Sequence, residues 1–276
     1  MPSMRIISWN SRGETYAKGQ ELQQAQAWLA TNYGGNNPDV DAFVIQEAQN
    51  AAGGPVRNMM NTDPANGVTL VSLGANINRP PDHTTELVTG GGDGYLCCTH
   101  TNVTINTHLA LWNYGADATL TGWMTSLNMT QRGAMMAARA QRPPAYTELT
   151  VGGTPVFLIT WHAPLGVSGL GAETMPGGGL IDAYLVLENS NLLTQAQTYA
   201  GANGVVIIAA DLNTTKNGLK KNYWGIYKPL RNFRGLGNHL DHILAWKPGG
   251  GNVVVDQGHN SATSSDHNMI SARVTW

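Results

Sequence analysis

Six stretches of this 276-residue chain place a metal-binding or proton-transferring side chain at the edge of an apolar run. Ile6-Ile7-Ser8-Trp9 runs into Asn10, and Phe43-Val44-Ile45-Gln46 runs into Glu47. Phe157 to Trp161 runs into His162. Val206 to Ala210 runs into Asp211, with Asn213 two residues on. Asp241-His242 opens Ile243-Leu244-Ala245-Trp246, and Asp266-His267 precedes Met269 to Val274. A lone Asp or Asn after a strand is usually a turn former, and a lone His is usually a hydrogen-bonded structural residue. Six such events, all at strand ends, argue for one shared site.

The residue types suit one chemistry. Glu and Asn oxygens are hard ligands for Mg²⁺, which keeps several waters and takes one or two carboxylates plus phosphate oxygens. Two histidines exchange protons near neutral pH. Further aspartates orient those imidazoles and raise their basicity. Zinc is disfavoured, because no HExxH and no Cys/His spacing occurs. A Ser-His-Asp hydrolase lacks its G-x-S-x-G after a strand. No phosphate-binding P-loop is present.

The elements that must position these residues are mostly strands. Arg5–Trp9, Val40–Gln46, Val68–Leu73, Val205–Ala210, His239–Trp246 and Ile270–Trp276 read as strands. Tyr95–Thr99 and Asn106–Trp112 are read as a possible hairpin, and Tyr146–Val151 and Val156–Trp161 as paired strands around Gly152-Gly153. Glu21–Asn32 and Ile181–Ala200 carry helical stripes, and Met124–Arg139 is ambiguous. Gly166–Gly179 reads as a glycine-rich loop. Strands outnumber helices, and helices fall between some of them. The expectation is an α/β sandwich with mixed sheets rather than a doubly wound parallel sheet. Strand ends then gather at one rim, where sites are built. No repeat and no domain boundary is visible, so residues 1–276 read as one domain.

Composition narrows the partners. The chain is 42% hydrophobic, enough for a sizeable core, and 12% charged, with a formal net charge of −2. A phosphate-bearing partner must therefore be held locally, by metal or by a few arginines. Cys97 and Cys98 are adjacent, so on a strand they point to opposite faces and are poorly placed to bridge each other. One thiol is expected in the core; the outer one reads as a plain reduced thiol, with a bond to another chain as the alternative. No run reaches the ~18 apolar residues of a membrane span, and no basic and apolar leader opens the sequence.

The motifs SWN (Ser8–Asn10), IQE (Ile45–Glu47), WHAP (Trp161–Pro164), ADLN (Ala210–Asn213), LDHI (Leu240–Ile243) and SDH (Ser265–His267) occur in the order of the endonuclease/exonuclease/phosphatase superfamily. The chain resembles that superfamily, which includes deoxyribonuclease I, abasic-site nucleases and inositol-polyphosphate phosphatases. The resemblance implies a four-layer α/β sandwich, two mixed β-sheets flanked by helices. The early WN-x-x-G, the QEA and the His-Ala are most similar to the catalytic B subunit of cytolethal distending toxins.

Position by position, the resemblance implies that Glu47 holds a catalytic Mg²⁺ (or Mn²⁺ or Ca²⁺), with Asn10 beside it and Asp266 helping. It implies that His162 and His267 are the catalytic histidines and that Asp241 supports His267. It implies that Asp211 and Asn213 contact the scissile phosphate and the attacking water or a second ion. Asp211 is also a candidate base. Which histidine is acid and which is base stays open, and Glu86 and Glu148 are both candidates for the carboxylate behind His162. Arg142 matches a toxin arginine that clamps the DNA backbone, while Trp112-Asn113 stands where another would be. Ala210 replaces the usual glycine before Asp-x-Asn.

The implied activity is Mg²⁺-dependent hydrolysis of the DNA backbone, in a secreted bacterial genotoxin subunit whose leader has been removed or replaced and which travels with carbohydrate-binding delivery subunits. A phosphoinositide or inositol-polyphosphate phosphatase on the same scaffold is the alternative. A catalytically dead binding protein is the third reading, and the retained chemical types at all six motifs weigh against it.

Overall fold

A computed structural model describes residues 1–12, 41–48, 68–69, 83–90, 93–100, 102–126, 143–163, 186–213, 234–238, 240–261, 265 and 267–276. Within them, thirteen strands form two sheets. The first holds β1 (Ser3–Asn10), β2 (Ala42–Gln46), β3 (Val68–Thr69), β4 (His83–Gly90), β5 (Asp93–His100), β12 (Val254–Ser261) and β13 (Met269–Thr275), in the order β12-β13-β1-β2-β5-β4-β3. The second holds β6 (Val103–Leu111), β7 (Ala145–Val151), β8 (Thr154–Thr160), β9 (Val205–Asp211), β10 (Arg234–Asn238) and β11 (Asp241–Trp246), in the order β10-β11-β9-β8-β7-β6. Each sheet is mixed, with one parallel pair, β1/β2 or β8/β9, among antiparallel ones. The expected pair of mixed sheets with helices is what the chain forms.

The sheets pack face to face, with β1 and β2 across β9. Strands at this centre are buried on both faces. All of AFVIQ in β2 and all of VVIIAAD in β9 are buried, which is why they read as unbroken apolar runs. β7 instead alternates between buried and half-buried residues, the signature of a strand with one covered face. Its turn to β8 has positive φ at Gly152 (55°) and Gly153 (81°). A two-residue turn of this hand matches the right-handed strand twist and needs residues without a Cβ penalty.

Of the two described helices, α1 (Ala118–Thr125) packs on α2 (Asn191–Ala200), and α2 lies against β8 and β9 of the second sheet. α2 buries Leu192, Leu193, Ala196 and Ala200 against it. Asp117 joins the two helices. Its Oδ1 accepts from the Leu120 N–H at 2.9 Å and caps α1, while Oδ2 accepts from the Asn191 N–H at 2.7 Å and the Trp112 indole at 3.1 Å.

Three expectations differ from this architecture. Tyr95–Thr99 and Asn106–Trp112 do not form a hairpin. β5 pairs with β2 on one side and β4 on the other, so it has no free edge, and β6 pairs with β7 in the other sheet. The Ile181–Ala200 helix is divided, because Ser190 is extended (φ −106°, ψ 153°) between a helical turn at 186–188 and α2. β4, β10 and β12 are additional strands. The expected helix Glu21–Asn32, the Gly166–Gly179 loop and most of Met124–Arg139 lie outside the described residues, as does Val68–Leu73 beyond Thr69. The Cys97 side chain is buried in the core. Among the described residues no helix is long and apolar enough to cross a membrane.

Candidate active site

Register brings the strand ends together. Asn10 sits opposite Gln46 in the parallel β1/β2 pair, so Glu47 follows at the next rung. Asp211 sits opposite Asp241 in β9/β11, and His162 forms a parallel bridge to Asp211 just past β8. β13 runs antiparallel to β1, and the Ser265 hydroxyl donates to the Asn10 carbonyl at 2.9 Å. That bond holds the segment before β13 against the end of β1. The His267 N–H in turn donates to Ser265 Oγ at 3.2 Å.

The side chains converge on Asp211, which is fully buried. Its Oδ2 accepts from Asn10 Nδ2 at 3.0 Å and lies 3.6 Å from both His162 Nε2 and His267 Nε2. Its Oδ1 accepts from the Asn213 N–H at 2.8 Å, an Asx turn that fixes the carboxylate plane. The Asn213 amide donates to the Ala163 carbonyl, just past His162.

Each histidine also has a carboxylate on its other nitrogen. His267 Nδ1 is 3.0 Å from Asp241 Oδ2, and a carboxylate there selects the tautomer with hydrogen on Nδ1. His162 Nδ1 is 3.4 Å from Glu47 Oε1. Neither carboxylate proposed from sequence for His162 has this place among the described side chains. Glu148 accepts from Thr107 Oγ1 and from Gln195 Nε2 of α2, on the helix-covered face of the sheet. The Glu86 side chain lies outside the described residues.

Burial shapes the charges. Asp241 is 2% exposed. Its pKa is raised from 3.8 to about 6, chiefly by desolvation; the hydrogen bond to His267 works against the rise and nearby Asp211 adds to it. Backbone strain marks the same place. The described non-glycine residues with positive φ are Arg12 (44°), Glu47 (55°) and Asn213 (50°), one or two residues past the ends of β1, β2 and β9. Such conformations cost about 1–3 kcal/mol and collect at functional sites.

No family model and no curated protein sequence matches the chain. Solved structures do match. An endonuclease/exonuclease/phosphatase from Bacteroides vulgatus is similar with a TM-score of 0.58 at 10% identity, over 100% of this chain and 99% of that one. D. rerio TDP2 complexed with single strand DNA product gives 0.55 at 13% identity, over 99% of each chain. The chain has the endonuclease/exonuclease/phosphatase fold. The Bacteroides thetaiotaomicron mannosyl-6-phosphatase Bt3783 shares that fold, with a TM-score of 0.51 at 12% identity, over 99% of this chain and 100% of that one.

On this fold, seven of the nine residues singled out from sequence meet: Asn10, Glu47, His162, Asp211, Asn213, Asp241 and His267. Arg142 and the Asp266 side chain lie outside the described residues. Asn10 faces the carboxylates with its amide nitrogen, and its Oδ1 accepts from the Arg12 N–H at 2.9 Å. The donor set fits a hard divalent ion. Glu47 offers a carboxylate whose side chain is 30% exposed, open to the waters such an ion retains, while one oxygen each from Asp211 and Asp241 and a ring nitrogen of His267 form a second group within 4.8 Å of one another. Sequence reasoning missed Tyr95 and Ser265 as supports. The buried Tyr95 hydroxyl accepts from the His162 N–H at 3.3 Å. Only the hydrophobic run around Tyr95 was legible, since a hydroxyl 67 positions from its partner leaves no local signal.

Proposed function

We propose that this protein is a divalent-metal-dependent phosphodiester hydrolase acting on the DNA backbone. The observation that carries the reading is the pair of imidazole Nε2 atoms, each 3.6 Å from Asp211 Oδ2, with a carboxylate behind each ring. Two proton carriers facing one buried carboxylate suit a displacement in which one proton is taken and another given. Glu47, with Asp266 as the motif resemblance implies, would hold the ion. When bound, it supplies positive charge to the phosphoryl oxygens.

His267 is the base in this proposal, because the Asp241 carboxylate stabilises its imidazolium. It takes a proton from water as the water oxygen bonds to phosphorus. The bond from phosphorus to the opposite ester oxygen breaks, and His162 Nε2 gives that oxygen its proton. Asp211 and Asn10 orient water and phosphate between the rings. A DNA substrate is supported by the complex of the similar TDP2 with a single strand DNA product. A secreted, toxin-type role with carbohydrate-binding delivery subunits rests on the motif resemblance and belongs to the same proposal.

A phosphatase reading is favoured by the mannosyl-6-phosphatase on the same fold. The test sets nicking of supercoiled plasmid, with Mg²⁺ and with EDTA, beside phosphate release from a phosphoinositide and from a sugar phosphate. Mg²⁺-dependent nicking without phosphate release is the expected result. Phosphate release without nicking would transfer the site to the phosphatase reading.

A further inference from the structure

Gln46 is fully buried between the sheets, one residue before Glu47. Its Nε2 lies 2.9 Å from Thr160 Oγ1, 3.3 Å from Ser8 Oγ and 3.3 Å from the Ala209 carbonyl. Those contacts come from β8, β1 and β9. Each contacted residue stands two positions before a residue of the site: Thr160 before His162, Ser8 before Asn10 and Ala209 before Asp211. Residues two apart on a strand share a face. One amide therefore touches the rung directly beneath three site residues and is itself adjacent to the fourth.

We infer that Gln46 is a positioning residue. Its amide fixes the spacing of four strand ends, and so sets the distances among Asn10, Glu47, His162 and Asp211. The carbonyl of Ala209 only accepts, which assigns the nitrogen to that side of the amide. Gln46 Oε1 is then left buried, with no partner among the described residues. An unmet buried acceptor offsets part of what the amide nitrogen's contacts return to stability. Stability alone does not account for an amide at this position. Its directional reach across the gap between the sheets does, since a methylene contact specifies no such geometry. The role rests on the hydrolase reading above, because a spacing matters to turnover only where these residues react.

The test uses Gln46→Met, close in shape and unable to donate, together with Thr160→Val and Thr160→Ser. Misplacement of about 1 Å costs on the order of 100-fold in rate. Gln46→Met leaves the Thr160 and Ser8 hydroxyls without this partner, so it is expected to lower the thermal midpoint by a few degrees and to lose about ten- to a hundredfold in kcat, with KM within about twofold. Thr160→Val should lose kcat in the same direction, Thr160→Ser should restore it, and the double variant should lose no more than Gln46→Met alone. A crystal structure of Gln46→Met should show the Asn10–Asp211 hydrogen bond broken. Turnover within about threefold of the unsubstituted protein, additive losses in the double variant, or an intact Asn10–Asp211 bond would each overturn the inference. If the unsubstituted protein cleaves no phosphoester, the hydrolase reading falls, and the crystal structure alone decides whether Gln46 sets the spacing.

Discussion

At the scale of single residues, the two histidines differ in what stands behind them, and that difference is testable. A leaving group that departs as a stable anion needs no proton. His162→Ala should lose on the order of 10²- to 10⁴-fold on DNA and much less on bis(p-nitrophenyl) phosphate, whose leaving group is such an anion. His267→Ala should lose comparably on both substrates, because water still has to be deprotonated. Equal losses for His162→Ala on both substrates would remove its role as acid. Asp241 carries an opposite balance of stability and activity. Its folded pKa of about 6 lies above 3.8, so the folded state binds the proton more tightly than the unfolded state. The buried charge therefore weakens the fold by about 3 kcal/mol above pH 6, and the penalty fades as pH falls through 6 towards 4. Asp241→Asn, measured by urea unfolding in EDTA, should be the more stable protein at pH 7.5 and should lose that advantage near pH 4, while its turnover falls. The candidate residues were legible because each interrupts an apolar run. What their sequence positions withheld was partnership. His162 meets Glu47 and Asp211 across separations of 115 and 49 positions.

Elements were legible where burial is complete and obscure where it is not. β2 and β9 announce themselves by composition, since both faces are covered. β4 (HTTELVTG), β10 (RGLGN) and β12 (VVDQGHNS) carry no such run. β10 and β12 are edge strands, and β4 lies one strand in from the other edge, beyond which β3 is two residues long. Partial cover at sheet margins permits polar residues, and polar residues erase the pattern. The misjudged hairpin has a related cause, because periodicity identifies a strand but not the edge it will occupy. Asp117 lies at this scale as well. One carboxylate caps α1 and receives the first N–H of α2 and the Trp112 indole. Asp117→Ala should lower unfolding stability by about 2–3 kcal/mol, through a lost cap and unmet donors, and leave kcat unchanged. Asp117→Asn, which keeps one acceptor, should fall between. A kcat loss matching the stability loss would show that the helices also brace the site.

At the scale of the whole molecule, the site exists only when two sheets are packed, because Asn10 and Glu47 come from one and His162, Asp211 and Asp241 from the other. A ligand that binds this assembled rim stabilises the fold by mass action, by about 2.7 kcal/mol at a hundred times its dissociation constant. Mg²⁺ or Mn²⁺ should therefore raise the thermal midpoint by several degrees, EDTA should reverse the rise, and Glu47→Gln should blunt it. An unchanged midpoint at millimolar Mn²⁺ would argue against a resident ion. The position of β13 has its own consequence. It lies inside the first sheet, hydrogen-bonded to β1 on one side and β12 on the other, and His267 stands just before it. During translation, β1 leaves the ribosome first and waits for a neighbour made more than 250 residues later, from position 10 to position 269. A stalled or truncated product ending before this strand has neither a continuous sheet nor its second imidazole. An unfinished copy therefore carries no assembled site.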